Sequence, residues 1–193
     1  MTTRVQEKQY LQQFSANQLL LCPLEKAMLN QVSFNALGKV LDGNACTGQI
    51  AEYLLKNTSC HVCGISDQME AVRQMRSTLY GGDFVYAAIG DIPWPENSFD
   101  VALLHPSDNR KEALLEQLGE CKRVLKPGGQ LVLGMKSLPL ILQRMENLWR
   151  SVDENEWLCF QNARQILEKL GFERVSGSQV GLGGYVLTGW MSD

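Results

Sequence analysis

The chain reads as a doubly wound α/β protein with a seven-stranded, mostly parallel sheet that ends in an antiparallel hairpin, a Rossmann-like arrangement. Three observations predict this. From Gly38 onward, short apolar runs alternate with segments of helical periodicity, the pattern of a parallel sheet with helices on both faces. Val101-Ala-Leu-Leu is apolar without alternation, as in a strand buried on both sides. The last two apolar runs, 173–180 and 184–190, are joined by a short link containing Gly181 and Gly183, which only an antiparallel hairpin can span.

The elements follow in order. Residues 4–32 carry helical periodicity, with Leu11, Phe14 and Leu21 on one face and Gln18 interrupting it. Pro23 suits the first turn of a second helix containing Leu24, Met28 and Leu29. Strands are expected at 40–41, 61–65, 84–89, 100–104 and 130–135 before the hairpin. Helices are expected at 49–56, with Ile50 and Leu54 inward, and at 69–78. Others fall at 111–125, with Leu114, Leu115, Leu118 and Val124 inward, at 139–150, and at 160–170, where Gly171 supplies the C-terminal cap. Pro127-Gly128-Gly129 breaks the chain between the helix at 111–125 and the next strand. The organisation is one domain over 1–193, a helical preface at 1–35 followed by an α/β core at 36–193.

The 193 residues are 45% hydrophobic and 20% charged, with net charge -3, which is the composition of an ordinary globular domain with a full core. The chain has no basic run, so no nucleic-acid partner is expected. Its apolar runs are too short to span a bilayer, so no membrane partner is expected either. The polar first residues lack a secretory core, and the expected location is cytoplasmic. Six cysteines in that setting read as reduced and packed. Cys60-His-Val-Cys63 has CxxC spacing, but residues an odd number apart on a strand face opposite ways, so no metal site is expected.

Lys39-Val-Leu-Asp-Gly-Asn-Ala-Cys-Thr-Gly48 reads as a buried strand, a tight turn and a helix start, the place where nucleotide-like cofactors dock in open α/β folds. Gly48 is followed by Gln49 and not by Lys-Ser or Lys-Thr, so a phosphate loop is not indicated.

Three segments resemble the class I S-adenosylmethionine-dependent methyltransferases, especially the small domains that act on small molecules. Arg123-Val-Leu-Lys-Pro-Gly-Gly-Gln-Leu-Val-Leu133 is similar to the signature before the family's fifth strand. Gly90-Asp-Ile-Pro-Trp-Pro-Glu-Asn-Ser-Phe-Asp-Val101 is similar to its acidic turn after strand three, and Leu170-Gly-Phe-Glu-Arg-Val175 to its entry into strand six. The resemblance covers roughly residues 36–190 and implies S-adenosylmethionine as cofactor.

The resemblance also implies site residues. The family's first turn reads acid-x-Gly-x-Gly-x-Gly, which falls here on Asp42, Asn44, Cys46 and Gly48. Asn tolerates left-handed φ next best after glycine, so Asn44 is expected to keep the turn, whereas the Cys46 side chain is expected to crowd it. The family's ribose-binding acid falls on Ser66, with Asp67 one residue later. Asp67 either swings toward the ribose or caps the following helix. Asp91 is expected to meet the adenine amino group, with Ile92 packing beside the ring. His105, just after strand four, is the candidate general base or acceptor-positioning group, or else it simply ends the strand before Pro106. Trp94, Trp149 and Trp157 are candidates for an acceptor pocket or for packing.

The Leu104-His-Pro-Ser segment lacks the Asn/Asp-Pro-Pro-aromatic pattern of the family's amino-methylating enzymes, and a small-molecule acceptor is expected. Asn44, Cys46 and Ser66 depart from the family at cofactor positions. They support an alternative, a non-catalytic methyltransferase-like protein that binds a protein partner. A dinucleotide oxidoreductase is a third reading, but the turn lacks Gly-x-Gly-x-x-Gly.

Overall fold

The computed structural model describes residues 21–33, 38–45, 47–106, 111–136, 160–181 and 183–193. Residues 4–20 of the stretch expected to be helical over 4–32, the helix expected at 139–150, and Cys46, Trp149 and Trp157 lie outside the described residues.

A seven-stranded sheet forms the centre. Its strands are β1 (Lys39–Asp42), β2 (His61–Ser66), β3 (Asp83–Tyr86), β4 (Phe99–Leu104), β5 (Leu125–Lys136), β6 (Glu173–Val180) and β7 (Gly184–Trp190). Their order is β3-β2-β1-β4-β5-β7-β6. Strands β1 to β5 run parallel, and β7 inserts antiparallel between β5 and β6. The α/β fold with a C-terminal hairpin is therefore as expected.

Alternation along each strand splits the core in two. Leu41, Ile65 and Leu131 face α4 (Lys111–Val124) and α5 (Phe160–Lys169), meeting Leu114, Leu118, Ala163 and Leu167. Val40, Val62 and Val132 face the other way, toward α1 (Pro23–Asn30), α2 (Gln49–Asn57) and α3 (Met69–Thr78), meeting Met28, Leu54 and Val72. Pro23 opens α1 in its first turn, and the preceding Cys22 and Glu25 cap it reciprocally. Gly171 closes α5 at φ +88. Its N–H donates to Glu168 O and that of Phe172 to Leu167 O, a Schellman arrangement that satisfies the last carbonyls.

Three expectations are corrected. Leu115 is 38% exposed and faces out from α4, where Cys121 takes an inward position instead. Strand β3 stops at Tyr86 rather than continuing to residue 89. Strand β5 begins at Leu125, paired with Phe99, and regains register only at Gln130, paired with Val101. The Pro127-Gly128-Gly129 segment thus forms a bulge inside the strand's span, and Gly128 holds φ +68.

The family-like segments mostly hold this frame together. Arg123 on α4 donates to the carbonyls of Trp94 and Ile92, and Glu120 accepts the N–H of Ile92. The turn after β3 is thereby fastened to α4. Lys126 pairs with Asp100 at 2.8 Å, and the same carboxylate accepts the N–H of Lys39. Phe99 is fully buried and meets the edge of Trp94 at 5.5 Å, so Trp94 packs against the core.

Candidate functional site

Strand order reverses direction between β1 and β4, and open α/β sheets bind ligands outside the carboxyl ends of their strands at such a switch point. A cavity of about 220 Å³ lies there. The turn after β1 contributes Gly43 and Asn44 to its lining, the end of β2 contributes Ile65, Ser66 and Asp67, and the segment after β3 contributes residues 87–90. Leu104 and Pro106 close the β4 side, and α4 contributes Ala113, Glu116 and Gln117.

The turn is built from Asp42 outward. Asp42 is buried, and its carboxylate accepts N–H bonds from Asn44 and from Ala51 in the first turn of α2. It therefore braces the turn from behind and does not line the cavity. Burial pushes its pKa up to about 7, Glu25 adds to the rise, and the two backbone N–H groups oppose it. Gly43 sits where a Cβ would meet Ile89 Cδ1 at 2.9 Å and the Leu103 carbonyl at 3.0 Å, so the approach of the turn to β4 requires glycine. Gly48 heads α2 at φ +67 behind the turn.

Asn44 keeps the turn by a route other than the expected one. It is not among the residues with positive φ. Its side-chain amide instead donates to the carbonyl oxygen of His105 at 2.6 Å. Cys46 lies outside the described residues.

Ser66 is buried at the end of β2, and its hydroxyl accepts the N–H of Gln68. Asp67 is exposed at the cavity and does not cap α3, which starts without a side-chain cap. Asp91 is exposed, and Ile92 is buried in the core. Neither lines the cavity, whose wall at this point is Ala88, Ile89 and Gly90. His105 adjoins the lining through its neighbours Leu104 and Pro106. Its Nε2 is buried and lacks a hydrogen-bond partner among the described residues. Burial, and then Lys136, holds its pKa below the usual histidine value, against a smaller opposing pull from Glu25.

Gln117 was not anticipated from the sequence. Its Oε1 is buried without a partner among the described residues while the residue lines the cavity. Such an orphaned acceptor normally costs stability, so it marks a place where a donor can enter. The only hint in the sequence is Ala113-Leu-Leu-Glu116-Gln117, which puts small and polar residues at helical spacing beside the apolar stripe. No helix among the described residues is long and apolar enough to cross a membrane.

The chain matches known proteins along this same stretch. Residues 41–133, from β1 into β5, match the family model described as "Methyltransferase domain". The malonyl-[acyl-carrier protein] O-methyltransferase of Methylococcus capsulatus is 28% identical over 145 residues, 71% of this chain and 52% of the relative. The enzyme of the same name from Enterobacter lignolyticus is 27% identical over 131 residues, 66% and 50%. The chain thus spans about half the length of these curated relatives. A SAM-dependent methyltransferase from Aquifex aeolicus superposes with a TM-score of 0.67 at 20% identity, covering 86% of this chain and 89% of that one, a likeness of fold. The sequence match from β1 into β5 and the order of the sheet support a class I S-adenosylmethionine-dependent methyltransferase.

Proposed function

We propose that the chain transfers a methyl group from S-adenosylmethionine to an oxygen of a small-molecule acceptor. The observation that carries this reading is the switch-point cavity with its orphaned Gln117 acceptor. Its lining suits a nucleoside. Ile65, Ala87, Ile89, Leu104 and Ala113 are apolar enough for a base, Gln117 offers an acceptor, and Ser66 and Asp67 stand together as partners for sugar hydroxyls. These residues, with the Asn44 turn, would hold the cofactor. When bound, it supplies an electrophilic methyl on sulfur; the C–S bond breaks as the O–C bond forms, and the thioether departs.

The chain's own contribution is alignment and proton handling. With its pKa held low, the His105 imidazole is neutral near pH 7, and its Nε2 has no partner among the described residues. It is therefore available to take the proton of a hydroxyl acceptor, whereas a carboxylate acceptor needs no base. Relatives named malonyl-[acyl-carrier protein] O-methyltransferase and 27-O-demethylrifamycin SV methyltransferase support oxygen as the acceptor atom.

One observation favours a second reading, a methyltransferase-like protein with weakened or lost cofactor binding that acts as a binding partner. The Asn44 side chain crosses to His105 O where the family's glycine leaves open space. An assay with methyl-labelled S-adenosylmethionine and panels of free carboxylic acids, phenols and alcohols, run beside carrier-bound acyl groups, separates the two. The enzyme reading expects label in at least one acceptor and its loss in Asp67→Ala. Label in carrier-bound acyl groups alone would sink the small-molecule acceptor, and no label together with no cofactor binding would favour the second reading.

A further inference from the structure

The alternation that separates Cys60 from Cys63 brings a different set of donors together. His61 and Cys63 are two residues apart on β2, so their side chains share a face. Cys63 is also in register with Asp83, the first residue of the parallel neighbour β3. Parallel partners project to the same side, so three unlike donors converge: an imidazole, a thiol and a carboxylate. One ligand atom from each lies within 4.8 Å of the others, and His61 Nε2 is already 2.9 Å from an Asp83 carboxylate oxygen.

The surroundings suit an ion. Cys63 is fully buried on the α4 side of the sheet, while His61 and Asp83 are about half exposed. The sulfur is therefore shielded and the other two donors open to solvent, which gives an entry path. A tetrahedral ion with bonds of about 2.0–2.3 Å holds its ligands roughly 3.3–3.8 Å apart, so shifts of about 1 Å at the two exposed side chains close the set. The donors are nitrogen, sulfur and oxygen, a mixture favouring zinc over magnesium or calcium, which take oxygen alone. Lys39, in register with His61, brings an ammonium that opposes a bound cation, but that ammonium lies 5.0 Å over the Phe99 ring.

We propose that His61, Cys63 and Asp83 form a binding site for a zinc-like divalent transition-metal ion at the amino-terminal edge of the sheet. Solvent fills the remaining position. Cys63 stands three residues before Ser66, roughly 10 Å along the strand from the cavity, so the ion takes no part in methyl transfer. It clips β3, the edge strand, to β2. Binding converts the thiol to a thiolate and releases its proton.

Cobalt(II) titration of the metal-stripped full chain tests this. The expected result is saturation at one equivalent, with a sulfur-to-cobalt charge-transfer band that zinc bleaches. Cys63→Ser should abolish the band and Cys60→Ser should leave it. His61→Ala and Asp83→Ala, both at exposed positions, should each weaken binding at least about tenfold with the circular dichroism spectrum unchanged. Absence of the band at excess cobalt, or a band that survives Cys63→Ser, would overturn the proposal. So would unchanged affinity in both exposed-position variants.

Discussion

The Asn44 amide donates to the His105 carbonyl oxygen over 2.6 Å, tying the turn after β1 to the chain leaving β4. The backbone at 44 needs no left-handed φ, because the side chain does the joining. The bond lies at the wall of the cavity, which Asn44 lines.

Two substitutions separate those roles. Asn44→Ala leaves a part-buried carbonyl without this donor and should cost about 1 kcal/mol in urea unfolding, with the m-value unchanged. Asn44→Gly should cost somewhat more, through backbone entropy, yet bind S-adenosylhomocysteine about tenfold more tightly, as calorimetry would measure, because the crossing side chain is gone. Unchanged affinity in Asn44→Gly would mean that the amide does not narrow the site.

Asp42 gives stability a pH dependence of definite sign. Its pKa rises from 3.8 to about 7 on folding, through burial first, with Glu25 adding to the rise. Between those values the native state holds a proton that the unfolded chain has released. The contribution is full below the lower value and is lost as pH rises through about 7. Against Asp42→Asn, the wild type should therefore lose on the order of 2–4 kcal/mol between pH 4 and pH 8. Urea midpoints at a series of pH values would show two parallel curves if Asp42 were ordinary, and curves that diverge with rising pH if it is not.

Gln117 should show effects of opposite sign on stability and binding. Its Oε1 is buried without a partner among the described residues, so Gln117→Leu removes an unsatisfied acceptor and should leave the free protein as stable as the wild type or more so. The same change should weaken S-adenosylhomocysteine about tenfold, the worth of one buried hydrogen bond. Thermal unfolding with and without ligand reads both effects together.

How legible these features were depended on how local their causes are. Helix α3 and both hairpin strands were readable to the residue, because periodicity and bounding glycines specify them locally. Strand β3 was read three residues too long, since Ala87, Ala88 and Ile89 look like strand. They leave the edge after pairing with β2 and line the cavity, a tertiary demand that propensity does not encode. Leu115, placed with Leu114 and Leu118 on the apolar side of this helix, is turned to solvent by α4. Asn44, Ser66 and Asp67 line the cavity at the places where the family-like turns put them. Gln117 was missed, since a polar residue in an amphipathic helix looks like surface until the cavity beside it is seen. The His61, Cys63 and Asp83 cluster was missed because the third donor arrives from another strand, and only register brings it in.

Calorimetric titration of the purified chain with S-adenosylhomocysteine tests the central claim most directly. The account predicts one binding site that Asp67→Ala and Gln117→Leu weaken. It also predicts a thermal stabilisation of about 2.7 kcal/mol when the ligand is present at a hundred times its dissociation constant. No heat and no thermal shift at millimolar ligand would contradict it, as would binding of undiminished strength in both cavity variants.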